Sequence, residues 1–483
     1  MNVNKKVVGI VVICIWVVIT LLRVFYHQPW YDEAHAYILA QNLSIPDLIA
    51  EMKDEGHLLV WYLLIMPFAK LKLWYPYPMQ IINWLCTFIA LLVMWKKAPF
   101  HPVTKTIITF SYPFLAEIPV VARCYSVGVM LLCLIAALYS KSIKHPVWYS
   151  LLILLCANTS VMALFGATAF GLVFAYDLIK SALNDEVKRK DFILSFSIMA
   201  LTCLLILLQI GSSVFVRVPM ERALNFYNNF SSFVYDHSRN SLELIWCYKL
   251  VVTMTSIFTF IILFLKNKKL FCIGLFTICG MMYCFLYKYS GFSQHIQFFW
   301  IYALIFCWLL ISEEKVRSKL TIFAEVLVAL FFSILLFSTQ IKNQIVYNSH
   351  SKLVYQLIEK TVEPNVRVII HNSIEEEIAP YFENSDIELY MYNIADSVKN
   401  SRTMHNIVLN PVGMAAEPYI SPVWLEKSVA KDKKTYLLTK NIPNHDTITF
   451  SDHKNSITVK KYMVFSKNYT LYEVGKIHNA IEQ

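Results

Sequence analysis

Charge is what this chain lacks most. Only 16% of its 483 residues are Asp, Glu, Lys or Arg, while 57% are hydrophobic and 15% aromatic. A soluble globular chain carries about 25% charged residues, so this one cannot coat a large water-facing surface. Glycine is scarce too, at 11 residues, which argues against helix packing by a GxxxG rule. No CxxC occurs, and all 11 cysteines lie at or before Cys307; they read as small buried hydrophobes. A C-terminal segment without cysteine needs no oxidising compartment, which favours a bacterial envelope protein over a disulfide-stapled ectodomain. No Gly-x-x-x-x-Gly-Lys-Ser/Thr loop is present, so the helicase-like string Asp32-Glu33-Ala34-His35 is a coincidence. No small-residue cleavage site follows the first apolar run, Val7 to Leu22. That run is expected to be an uncleaved first span with its N-terminus inside.

What the chain does have is long apolar stretches, near 7–26, 58–74, 77–95, 104–121, 124–140, 146–180, 191–211, 246–265, 270–288, 296–311 and 320–340. At 1.5 Å per residue and a hydrocarbon core of about 30 Å, 146–180 is too long for one helix. It divides best at Asn158-Thr159-Ser160. The formal net charge is +10, and its basic residues cluster between apolar runs, at Lys96-Lys97, Lys141 with Lys144, Lys188-Arg189-Lys190, Lys266 with Lys268-Lys269, and Lys315 with Arg317. That is the positive-inside pattern and not a nucleic-acid surface. All these clusters fall inside if 58–74 lies at or re-enters from the outer surface. The scheme gives about 11 crossings, with the N-terminus in and the C-terminus out. From about 341 onward the span-length runs cease. Val366–Ile370, Tyr436–Thr439 and Thr458–Phe465 read as strands, and Ser351–Thr361 and Ser373–Phe382 as helices. The expected architecture is an α-helical polytopic membrane bundle over 1–340 and an extracytoplasmic α/β domain over 341–483.

The most informative stretch is the first outer loop, about 27–57, with Trp30-Tyr31-Asp32-Glu33-Ala34-His35-Ala36-Tyr37 and then Asp54-Glu55-Gly56-His57. Acidic residues beside lipid are costly and tend to mark function. The structural alternative is helix capping, with Asp32 as an N-cap and Glu33 in the first turn. Between the two motifs, Asp32–Leu43 and Ile45–Met52 read as short amphipathic helices suited to the interface plane. Tyr31, Tyr37 and Trp30 can stack on sugar or lipid, or belong to an ordinary aromatic belt. Glu117, beside Pro119, is expected to form a structural ion pair with Arg123. A divalent ion held by Asp32, His35 and His57 is chemically conceivable, but no spacing demands one and no cofactor is expected.

The order of features resembles the glycosyltransferase-C superfamily: one span, then Tyr-Asp-Glu-Ala, short helices, and a Gly-His pair opening an apolar helix. The nearest likeness is to bacterial relatives of the protein O-mannosyltransferases and to the aminoarabinose transferases of lipid A. Asp32 and Glu33 match the acidic pair of that pattern. His57-Leu58-Leu59 matches its His-Pro-Pro-Leu segment without the prolines. Arg123-Cys124-Tyr125 is similar to an Arg-x-Tyr of bacterial members, and Gln294-His295 to an Arg-His pair before a late span. The resemblance covers roughly 1–310. It implies a polyprenyl-phosphate sugar donor, a glycan, lipid or protein acceptor, and action on the outer face of a bacterial inner membrane.

Such a reaction needs a base for the acceptor hydroxyl and cations for the leaving phosphate. Asp32 is the expected base, with Glu33 as its partner. Arg123, Arg217, Arg222 and His57 are expected at the donor phosphate, since arginine grips phosphate bidentately. Tyr31, His35, Tyr125 and His295 are expected against substrate. Two other classes stand beside this one. A lipid-linked glycan transporter would carry functional charge in mid-span; Glu325 is the main such residue here. A non-catalytic envelope assembly protein would leave Asp32 and Glu33 dispensable.

Overall fold

Among the described residues, the apolar runs are largely helical. The computed structural model describes residues 3–52, 57–210, 261–262, 264–287, 293–314, 317–334, 351–370, 378–382, 385–391, 407–409, 429, 432–440, 446–451, 455–464 and 469–479. In order, the first ten helices are α1 (Val3–Tyr26), α2 (Tyr31–Asn42), α3 (Ile45–Glu51), α4 (Leu59–Lys70), α5 (Tyr77–Lys97), α6 (Pro102–Phe110), α7 (Cys124–Leu138), α8 (Pro146–Ala157), α9 (Val161–Leu183) and α10 (Arg189–Gln209). Lys268–Tyr287, Phe298–Glu313 and Lys319–Ile334 are helical as well. Among the described residues, seven helices are long and apolar enough to cross a membrane. The chain is an integral, multi-pass membrane protein.

The run 146–180 breaks at Asn158–Ser160 as its length requires, giving α8 and α9. The run 104–121 departs from the expected single span. Its helix α6 stops at Phe110, Ser111 is extended, and Pro113–Glu117 forms one π-helical turn. Pro113 supplies the reason, since it donates no N–H and its ring crowds the preceding turn. Helix α4 has 12 residues, about 18 Å of rise, short of the roughly 30 Å hydrocarbon core. The run 246–265 and the loop 212–245 lie almost wholly outside the described residues.

Two compact units result. The first comprises 1–27, 49–64 and 79–347, and the second 28–48, 65–78 and 348–483. Residues 28–48 and 65–78, read from sequence with the membrane part, therefore pack within the second unit.

In the first unit, Trp16, Trp84 and Phe88 stack between α1 and α5, with ring centroids 5.2 to 6.2 Å apart. Both indoles are satisfied: Trp16 donates to the Phe114 carbonyl at 2.6 Å and Trp84 to the Thr20 hydroxyl at 2.8 Å. Two glycines serve close approach. A Cβ at Gly166 would collide with the Tyr302 ring, and one at Gly280 with Phe165. Tyr302, fully buried, donates its hydroxyl to the Met162 carbonyl at 2.7 Å. Basic residues at helix ends find acidic partners: Lys269 with Asp177 at 2.5 Å, Lys266 with Glu314 at 3.2 Å, and Arg317 with Glu325 at 2.8 Å. Glu325 also accepts the backbone N–H of His101 at 2.5 Å. The mid-span carboxylate that a transporter would use thus joins Arg317 to the start of α6.

The second unit is built on a seven-stranded sheet: β1 (Arg367–Ile370), β2 (Glu388–Met391), β3 (Ile407–Leu409), β4 (Thr435–Lys440), β5 (Thr447–Ser451), β6 (Asn455–Val464) and β7 (Tyr469–Asn479). Its order is β3-β2-β1-β4-β7-β6-β5. The β3-β2-β1-β4 half is parallel and the rest antiparallel. Consecutive buried residues in β1 (Val368, Ile369, Ile370) and β4 (Tyr436, Leu437, Leu438) are those of strands covered on both faces. The predicted helix Ser351–Thr361 is present. Of the predicted 373–382 helix, 378–382 is described, and Ala379–Phe382 within it is a 3-10 turn.

Candidate functional site: a buried arginine–imidazole cluster and an acidic helix

In the first unit, His57 is held by backbone pairing before its side chain is considered. It forms an antiparallel bridge with Ser160. Leu58 and Val60 donate their N–H groups to the carbonyls of Thr159 and Asn158, at 3.0 and 2.9 Å. The Leu59 N–H donates to Oε1 of Gln209 at 2.8 Å, and Gln209 donates in turn to Oδ1 of Asn158 at 2.7 Å. The amide-rich turn between α8 and α9 thereby satisfies the orphan N–H groups that open α4. Sequence reasoning saw 158–160 only as a turn. The missed signal was a set of amides, Asn158 and Gln209, inside otherwise apolar runs.

Arg123 is the N-cap of α7. Its backbone is pinned by Asn83, a fully buried residue on α5. Asn83 accepts from the Arg123 N–H at 3.3 Å and donates to the Ile118 carbonyl at 2.8 Å. The Arg123 guanidinium, only 6% exposed, meets Nε2 of His57 and lies over the Tyr125 ring, 5.7 Å from its centroid. His57 turns its other nitrogen, Nδ1, to Cys124 Sγ at 3.1 Å. Tyr125 sits edge-on to His57 and to His295, at 5.6 and 5.4 Å between centroids. Its hydroxyl hydrogen-bonds Nε2 of His295 at 2.7 Å. Gln294, His295 and Gln297, all buried, come from the segment that opens the helix Phe298–Glu313. Buried Glu117, in the π-helical turn, accepts from the Tyr112 hydroxyl, a partner not read from the sequence.

In the second unit, Asp32 and Glu33 lie in the first turn of α2, whose N-cap is Trp30 and not Asp32. An indole cannot accept a hydrogen bond, so the cap works in one direction. Glu33, with 0% exposure, accepts the Trp30 backbone N–H at 3.2 Å. Asp32 is half-buried. Tyr31 and His35 stack one turn apart at 6.0 Å and 7°.

The expectation of an amphipathic interfacial helix does not hold for α2. Ala34, Ala36, Tyr37, Ile38, Leu39, Ala40 and Asn42 are all buried, so α2 is a buried helix, with small residues permitting close packing. Tyr37 packs on Tyr75 at 4.7 Å, Tyr75 on Tyr381 at 5.0 Å, and Tyr381 on Tyr355 at 5.9 Å. Lys352 reaches over Tyr77. The acidic helix is thus built into the α/β unit by an aromatic ladder.

Arg217, Arg222 and Asp54–Gly56 lie outside the described residues. The conceivable metal set draws Asp32 and His35 from the second unit and His57 from the first. No group of three His, Cys, Asp or Glu side chains placed to hold a metal occurs among the described residues.

No protein-family profile matches the chain, and no curated protein is similar to it in sequence. Among solved structures, it is similar to ArnT from Cupriavidus metallidurans bound to undecaprenyl phosphate, at 7% identity and a TM-score of 0.47. That match covers 96% of this chain and 97% of the other. The same enzyme in the apo state matches at 9% identity and a TM-score of 0.42, with the same coverage.

Proposed function

We propose that this protein is a membrane glycosyltransferase that moves a sugar from a polyprenyl-phosphate donor to an envelope glycan, lipid or protein on the outer face of a bacterial inner membrane. The observation that carries the reading is the buried Arg123 guanidinium, seated at a helix N-terminus against an imidazole and a phenol ring. An arginine inside a membrane protein is costly and tends to mark function, and a guanidinium grips a phosphate bidentately. The phosphate of a polyprenyl lipid is the anion this reading gives it. The α7 N-terminus adds its partial positive charge and backbone N–H groups in the same place.

Asp32 takes the proton of the acceptor hydroxyl as that oxygen bonds to the anomeric carbon. The bond from that carbon to the phosphate oxygen breaks, and the electron pair leaves with polyprenyl phosphate. Arg123 offsets the charge that develops there. Glu33, spent on the Trp30 N–H, holds the first turn of α2 in place. Arg217 and Arg222 remain candidate phosphate contacts, and Tyr31, His35, Tyr125 and His295 candidate sugar or acceptor contacts.

The test is a separation of binding from turnover in the purified full chain. Arg123→Ala is expected to weaken binding of undecaprenyl phosphate, and Asp32→Asn to leave that binding intact. Equal binding by wild type and Arg123→Ala would remove the phosphate site from the reading.

A further inference from the structure

We infer that Cys124 is a positioning residue, which fixes the tautomer of His57 so that the imidazole steers the Arg123 guanidinium toward a bound lipid phosphate. The inference rests on the proposed function for its purpose and on geometry for its substance.

Donor and acceptor inventory gives the argument. A guanidinium has five N–H donors and no acceptor, so the ring nitrogen it meets, Nε2 of His57, must present a lone pair. A neutral imidazole with a bare Nε2 carries its proton on Nδ1. That proton points at Cys124 Sγ, 3.1 Å away, and the sulfur accepts it. Backbone pairing with Ser160, Thr159 and Asn158 fixes where the ring starts. The edge of Tyr125, whose hydroxyl is engaged with His295, limits how it turns.

Among the described residues, Arg123, Cys124 and Tyr125 of the α7 N-terminus meet the ring, and the backbone of the α8–α9 turn holds the segment that carries it. In the other tautomer, or as imidazolium, His57 would set N–H against N–H and push the guanidinium away. His57 thus aims the phosphate-binding cation without contributing charge. Cys124, fully buried, sets the state in which it does so. A thiol is a weak acceptor, yet any acceptor on Nδ1–H suffices to select the tautomer.

The experiment uses the full-length protein in nanodiscs with ¹⁵N-labelled histidine, the His57 signals being identified by their loss in His57→Gln. In wild type, His57 is expected with Nδ1 protonated and Nε2 bare. Cys124→Val, close in volume but without an acceptor, is expected to shift the ring toward the Nε2–H form. It is also expected to weaken undecaprenyl phosphate binding about tenfold, the scale of one lost hydrogen bond to a charged group. Cys124→Ser restores the acceptor and is expected to recover most of both effects. A wild-type His57 protonated on Nε2, or on both nitrogens, would overturn the inference, as would an unchanged tautomer in Cys124→Val. The wild-type spectrum decides the matter even if the valine variant fails to fold. If the wild type shows the expected tautomer but binds no lipid phosphate, the proposed function fails while the tautomer assignment stands.

Discussion

Replacing Asn83 by alanine cuts a side chain that ties α5 to the turn carrying Arg123. Asn83 donates to the Ile118 carbonyl at 2.8 Å and accepts from the Arg123 N–H at 3.3 Å, with no exposure to solvent. The two losses are unequal. The Arg123 N–H keeps its bond to the Val121 carbonyl at 2.9 Å, whereas the Ile118 carbonyl loses its amide donor. An interhelical hydrogen bond in a membrane averages about 0.6 kcal/mol, and a buried polar group left unmade costs about 1–3 kcal/mol. Together they put the effect near 2 kcal/mol, or about thirtyfold in the equilibrium between closed and open turn. Hydrogen exchange reads this directly, because exchange by local opening follows the opening constant. The amides of Val120, Val121 and Arg123, each bonded within the turn, are expected to exchange about thirtyfold faster in Asn83→Ala. The amides of α9 are expected to be unchanged, and undecaprenyl phosphate binding to weaken in parallel. Unaltered exchange in the turn would show that Asn83 does not hold Arg123, and the account of how the cluster is built would fail.

Two further outcomes are expected elsewhere in the molecule. Gly166→Ala sets a methyl group into the buried Tyr302 ring and is expected to destabilise the bundle by about 1–3 kcal/mol. A shorter half-life at elevated temperature in detergent would show it, and partial recovery in the double variant with Tyr302→Leu would trace it to the collision. In the sheet, Glu388 is partly buried, which pushes its pKa up, but Lys433 and Arg367, at 2.8 and 2.6 Å, outweigh that and hold it below the usual carboxylate range. A lowered folded-state pKa contributes stability above the unfolded value, near 4.3, that is lost as pH falls through the folded one. Protection of the β1 and β2 amides is therefore expected to fall as pH drops below the ordinary glutamate range in wild type, and to vary less with pH in Glu388→Gln.

Much of this was legible because it rests on local composition. Unbroken apolar runs gave the helices, the length of 146–180 forced a break at Asn158–Ser160, and β1, β4 and β6 fall where short runs of β-branched and aromatic residues place them. The run 104–121 misled because hydropathy cannot register that Pro113 ends a helix three residues upstream. Helix α2 misled for the opposite reason. Its histidine, glutamine and carboxylates give an amphipathic count, but burial within the second unit is decided by residues far along the chain, Tyr75, Tyr355 and Tyr381.

The candidate site was legible in its parts and not in its wiring. Arg123, Tyr125, His57 and His295 were each visible as polar residues at the edge of an apolar run, and the structure joins all four in one buried cluster. Cys124 and Asn83 were invisible as anything but core. Their significance lies in which atom each presents to a neighbour 40 or more residues away, a relation that no local pattern encodes.

The central claim is glycosyl transfer from a lipid phosphate with Asp32 as base. Its most direct test is movement of label from a polyprenyl-phosphate sugar to an acceptor by the purified full chain, comparing wild type with Asp32→Asn at matched donor binding. The account predicts transfer by wild type and a loss of about a hundredfold or more in the variant, the usual scale for removing a general base. Full turnover by Asp32→Asn would contradict the assignment of the base, and no consumption of any donor across a broad panel by wild type would contradict the activity itself.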